Sequence, residues 1–245
     1  MKNAARKPSK LQPRVMVPKS QSRNLLFGAL LAGAFLGLTL STTTNAHPHM
    51  WIDAKVNLQF DAQGQLIAVG QQWQFDEMFS SYAKQGLPAN ANPAVLQAEL
   101  DKIGKQWMGA LADPMSHYFT AISQGNTRLA VGEPRGVRVS WDSKTERLSL
   151  KFELPLLDPV GAQKAPITVS VVDPTYFVAY SFEAPDAVSA PTAPSACKAS
   201  YLPPATLDNT TAQRLAALPP DQGKLPPDLA RIAQSLEHRI ELKCP

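Results

Sequence analysis

The residues best suited to chemistry in this chain are two histidines separated by one proline, in the segment His47-Pro48-His49-Met50-Trp51-Ile52-Asp53. If an export leader ends at Ala46, His47 carries the free α-amine of the mature protein. It then offers amine and imidazole to one metal ion, and His49 adds a second imidazole. Such nitrogen donors suit Cu(II), Ni(II), Co(II) or Zn(II). A histidine in third place also matches the amino-terminal copper/nickel motif, which binds through the deprotonated amides of residues two and three. Pro48 has no N–H, so that square-planar form is closed. The geometry left is a brace of one amine and two imidazoles, completed by side chains from the fold. The competing reading is a frayed terminus at His47 and an ordinary strand start at His49.

The other candidates read as structural. The chain holds only four histidines, the remaining two being His117 and His238. His117, beside Tyr118 and Phe119, is expected at a strand entrance as a satisfied structural residue. His238 is expected on the surface at the end of the last helix, where a protonated ring favours the macrodipole. Asp76 and Glu77 start a helix, Asp173 caps a turn, and Met50 packs in the core. Several catalytic templates are absent: no GxSxG, P-loop, GxGxxG or HExxH occurs. The chain is therefore read as a non-enzyme.

The case for a leader rests on residues 1–46. Seven basic and no acidic residues precede a run of 16 residues, Leu25–Leu40, that is apolar throughout save for Gly and Thr. The run is short of the roughly 20 residues a membrane-crossing helix needs, and Thr44 and Ala46 supply small residues at −3 and −1. The expectation is a cleaved signal peptide over 1–46 and a periplasmic chain from 47 to 245; the alternative is an uncleaved anchor. No later stretch is long and apolar enough to span. The full chain has 24 basic and 20 acidic residues, and removing the leader leaves 17 against 20. The high isoelectric point thus belongs to the leader, and nucleic acid is not an expected partner. About 200 residues remain, enough for one domain with a core. In an oxidising compartment Cys197 and Cys244, the only cysteines, are expected to form one disulfide; two buried free thiols are the alternative.

Alternating apolar residues over Met50–Phe60 and Leu66–Trp73, around Asp61-Ala-Gln-Gly64, predict a β-hairpin. Asp76 and Asn92-Pro93 open helices, the second carrying a stripe of Leu96, Leu100, Ile103, Trp107 and Leu111. Three hairpin-like pairs follow: His117–Ser123 with Arg128–Val131, Val137–Trp141 with Leu148–Leu154, and Ile167–Val172 with Tyr176–Phe182. Residues 184–227 hold nine prolines and read as an irregular, solvent-facing segment with one short helix near Asn209–Leu218. A helix from Pro227 and a strand at Ile240-Glu-Leu242 end the chain. The fold expected is α+β: a mostly antiparallel sheet domain with two or three helices and one C-terminal disulfide.

The opening His-Pro-His-Met-Trp-Ile-Asp resembles the start of a periplasmic family known as domain of unknown function one-thousand-and-seven. The likeness continues through Trp73-Gln-Phe-Asp-Glu-Met-Phe79, Tyr118-Phe-Thr120, Val172-Asp-Pro-Thr-Tyr-Phe177 and the paired Cys197 and Cys244. That family is also described as a periplasmic component of an uncharacterised ABC-type transport system, and it is often encoded beside nickel/cobalt permeases. The resemblance implies transition-metal handling with a membrane permease as partner and offers no catalytic residue to carry over, while His47 and His49 stand as metal ligands on the reading of the residues themselves. Competing classes are a solute-binding protein for a non-metal ligand, an envelope interaction module without ligand, and an oxidative copper enzyme.

Overall fold

The computed structural model describes residues 48–88, 90–218 and 225–245. The expected leader and His47 lie outside the described residues. The chain proper opens with the expected hairpin, β1 (Met50–Phe60) and β2 (Gln65–Phe75), paired antiparallel from Ile52↔Phe75 to Phe60↔Leu66. Asp61 makes the turn: its Oδ1 accepts the Gln63 and Gln65 N–H groups, and Gly64 takes φ +72°, a conformation that suits a residue without Cβ. Helices α1 (Glu77–Lys84) and α2 (Pro93–Leu111) follow. Both start where expected, with Asp76 accepting Phe79 N–H at 2.8 Å and Asn92 accepting Val95 N–H at 3.0 Å. The predicted stripe of α2 faces inward. Leu100 is buried, and Trp107 packs on Phe75 and Phe79 at 4.9 and 5.6 Å between ring centroids. Gly104 lets the helix approach the sheet, since a Cβ there would lie 3.3 Å from Val139 Cγ2.

Beyond α2 come β3 (Thr120–Gln124), β4 (Thr127–Arg128), β5 (Arg135–Asp142), β6 (Arg147–Gly161), β7 (Ile167–Val171) and β8 (Val178–Ser181). The last part holds β9 (Val188–Ser189), β10 (Lys198–Leu202), α3 (Asn209–Ala216), α4 (Pro227–Ser235) and β11 (His238–Lys243). The fold is α+β, with two mostly antiparallel sheets and four α-helices among the described residues. One sheet runs β5-β6-β2-β1-β8 with β9 beside β1; the other runs β10-β11-β7-β3-β4. One apolar cluster takes residues from both sheets, including Trp73, Phe152, Leu58, Ile122, Val169 and Ile240. The Cys197–Cys244 disulfide closes the C-terminal end as expected.

Three expectations differ from the structure. Strands β7 and β8 do not form a hairpin: β7 lies between β3 and β11, whereas β8 runs parallel to β1 from Met50↔Val178 to Asp53↔Ser181. The turn at Asp173-Pro-Thr is a crossing between sheets, held by Asp173 accepting Val178 N–H. Residues 117–119 are a left-handed turn rather than the start of a strand. The proline-rich segment 184–227 carries β9, β10 and α3, buries Ala187 in the main core, and contributes Leu215 and Leu218 to a small second cluster closed by Leu229 of α4.

Candidate functional site

His49 enters the fold immediately ahead of β1, and two contacts with Phe177 hold it. Its backbone N–H donates to the Phe177 carbonyl at 2.9 Å, and its ring stacks on the Phe177 ring at 4.9 Å. His49 is therefore part of the scaffold; the frayed alternative does not extend to it. Asp53, at the end of the same motif, pairs with Arg147 at 2.7 Å, so its carboxylate is engaged. Asp76 ties the strand to α1: it accepts Trp51 N–H on Oδ2 at 2.9 Å while Oδ1 caps the helix. Met50 lines an apolar cavity of about 290 Å³ with Trp73, Phe75, Trp107, Phe119 and Phe177.

The loop that carries Phe177 is built by Asp173, which is buried. Its Oδ1 accepts the Thr175 N–H and hydroxyl at 2.8 and 2.7 Å, and its Oδ2 accepts Val178 N–H at 2.9 Å. Asp173 is thus the turn cap its sequence position indicated. Across the loop, Val172 N–H donates to the Phe119 carbonyl at 3.0 Å. This anchors the turn His117-Tyr118-Phe119, whose residues take φ of 41°, 55° and 48°. Non-glycine residues in this region are strained, on the order of 1–3 kcal/mol apiece. His117 Nδ1 is buried and has no hydrogen-bond partner, which corrects the expectation of a satisfied histidine. Of its three residues only His117 is of a type enriched at positive φ, and none is Gly, Asn or Asp.

His238 also differs from expectation. It lies in β11 and is buried, with Nδ1 2.7 Å from the Tyr201 hydroxyl and its ring against Tyr201 and Phe182. Burial pushes its pKa down to about 4, against a smaller opposing effect of a hydrogen bond to the Tyr180 backbone. The ring is neutral and structural at ordinary pH. Beside it Tyr180 packs edge-on against Trp73 with its hydroxyl buried and without a hydrogen-bond partner, and burial of that group followed by the charge of Asp173 pushes its pKa well above the usual tyrosine range.

Measured against a metal ion, the described residues supply His49 as an imidazole donor and His117 Nδ1 as a buried nitrogen with nothing bonded to it. No group of three or more His, Cys, Asp or Glu is placed to hold a metal among them. A metal site at this place would need donors from outside the described residues. Among the described residues no helix is long and apolar enough to cross a membrane.

These features define a disulfide-closed α+β domain of two sheets, with a histidine-bearing strand start packed on the Asp173–Val178 loop. The chain belongs to the family described as protein of unknown function, DUF1007, whose model matches residues 32–244. An uncharacterized protein of Haemophilus influenzae is 26% identical over 169 residues, 69% of this chain and 79% of that protein.

Proposed function

We propose that this protein is an exported, periplasmic accessory protein that binds a divalent transition metal at its mature N-terminus and presents it to a membrane permease. Nickel and cobalt are the favoured cargo, and copper or zinc would suit the same donors. The observation that supports this reading best is the fixed position of His49, bonded and stacked on Phe177 directly after Pro48. A chelate of the His47 amine, the His47 imidazole and the His49 imidazole would then stand on a folded wall, which lowers the ordering cost of binding. Export is supported by the leader pattern of residues 1–46 and by the disulfide, which persists in oxidising compartments. The permease as partner follows from the family resemblance.

The aromatic cavity beside Met50 and Phe177 favours a second reading, a small apolar solute as ligand. Titration calorimetry with Ni(II), Co(II), Cu(II) and Zn(II) separates the two. The native mature protein should bind at least one ion tightly. A version with one extra residue ahead of His47, and His49→Ala, should each bind at least tenfold more weakly. Affinity should also fall on acidification, because amine and imidazole bind metal only when unprotonated. Equal binding by all three proteins would remove the N-terminal site and leave the solute reading.

A further inference from the structure

The sheet β5-β6-β2-β1-β8 packs one face on the core and turns the other away from it. Polarity alone is what any solvated antiparallel face shows; the residue types here go further. On β1 the outward residues are Asp53, Lys55, Asn57 and Gln59, and opposite the first three on β2 stand Gln74, Gln72 and Gly70. Together with the outward residues of β6 from Ser149 to Glu153, none is Val, Ile, Thr or aromatic. Asp, Asn and Gly are among the poorest strand formers. This face is built against local propensity, which is where a functional surface is expected.

The middle of the face is a cleft of about 360 Å³, at the lower end of small-molecule sites. Gly70 lines it, and a Cβ there would lie 3.3 Å from Gln59 Nε2 and 3.5 Å from Asn57 Cβ. Glycine inside a strand often marks a place where another group comes close. Here the gap lets Gln59 reach over β2 and donate to Glu153 on β6 at 2.9 Å. Arg135 holds the other oxygen of Glu153 at 3.0 Å. It does so at a one-residue bulge: Arg135 and Arg138 oppose Glu153 and Lys151, three steps on β5 against two on β6. On the β1 side Asn57 donates to Ser189 at 2.9 Å, and Lys55 pairs with Asp186 at 2.6 Å. The walls are fixed before any ligand arrives, which lowers the ordering cost of binding.

The ligand is defined by what these bonds leave unused. Asn57 and Gln59 donate through their amide nitrogens, while their amide oxygens accept no hydrogen bond among the described residues. Gln72 and Lys151 line the same cleft, and their side chains make no hydrogen bond or ion pair among the described residues. Hydroxyl groups donate and accept at once, and so satisfy neighbouring amides; a carboxylate is the complement of the ammonium. We propose that this outer sheet face binds a saccharide that carries a carboxylate, with its hydroxyls on Asn57, Gln59 and Gln72 and its acid on Lys151. The site shares no residue with the N-terminal chelate and does not rest on it.

Galacturonate, galactose and acetate are the probes, titrated into isotope-labelled protein and read by backbone amide shifts. Galacturonate should shift the amides of β1, β2 and β6 around Gly70 and leave β7 and β11 unmoved. Galactose should bind roughly tenfold more weakly, the value of one charge-assisted bond, and acetate should shift none of these amides. Lys151→Ala should bring galacturonate down to the level of galactose, and Gln72→Ala should weaken both sugars. Neither side chain bonds another part of the fold, and the dispersion of each variant's spectrum shows that it is folded. Equal binding of galacturonate by the parent and Lys151→Ala would overturn the acid's place on Lys151. No shift with either sugar, or shifts away from the cleft, would overturn the site itself. Shifts of the same amides on concentrating the protein alone, with a dimer in sedimentation, would overturn it in favour of a contact between copies.

Discussion

Acidification should weaken this fold through one side chain, His238. Its ordinary pKa near 6.5 falls to about 4 in the folded protein, with burial as the main cause. The unfolded chain therefore binds more protons than the native one between those values. Stability is fully present above about pH 6.5 and is lost as pH falls toward 4. At pH 5 the unfolded histidine is almost wholly charged and the native one almost wholly neutral. The loss relative to pH 8 is then about 2 kcal/mol. The shifted carboxylates among the described residues, such as Glu153, chiefly by its bond from Gln59, and Asp186, chiefly by Lys55, all move downward. Their contribution is lost at lower pH still, which leaves the interval from 6.5 to 4.5 to His238. Urea unfolding at pH 8.0, 6.5 and 5.0 checks this in the parent and in His238→Gln, which can accept the Tyr201 hydroxyl but does not titrate. The glutamine variant should be less stable at pH 8, because it loses the ring packing on Phe182 and Tyr201. Its unfolding free energy should change by less than half as much as the parent's between pH 8.0 and 5.0. Parallel pH profiles for the two proteins would refute the assignment of this slope to His238.

Replacing Cys197 and Cys244 by serine opens a cross-link between residues 47 apart, and should cost about 4 kcal/mol in the chain-entropy model, read by urea unfolding. Alkylation of unreduced protein followed by intact-mass measurement should show no labelled thiol, and two labels would contradict the bond. Leu215→Ala should cost about 2–5 kcal/mol within the second cluster. Hydrogen exchange should quicken over α3 and α4 while β1 and β2 stay protected; uniform loss of protection would show that the two clusters unfold as one.

Much of the architecture is legible in local residue order. The β1–β2 hairpin follows from alternation around an Asp-Ala-Gln-Gly turn, and α1 and α2 follow from Asp76 and Asn92 as caps. The disulfide follows from two thiols in a chain read as exported. Within the site, His49 at a strand start and Asp173 as a turn cap were readable, because each acts on residues within five positions of itself or opens an element.

What local order could not decide was which strands meet. Ile167–Val172 and Tyr176–Phe182 look like a hairpin by their turn, yet β7 and β8 belong to different sheets, β7 pairing with β3 and β11 and β8 with β1. The same holds for two of the histidines. His238 is buried because β11 docks between β10 and β7, and the left-handed His117 turn ends at a Phe119 carbonyl that Val172, more than fifty residues away, bonds. The leucines of a proline-rich segment become a core only when α3 meets α4. Residue types and short-range spacing determined the elements, the caps and the candidate donors, since those depend on bonds that close within a few residues. Sheet order, burial and the company His49 keeps were decided by the tertiary structure, because they depend on surfaces brought together from more than a hundred residues apart.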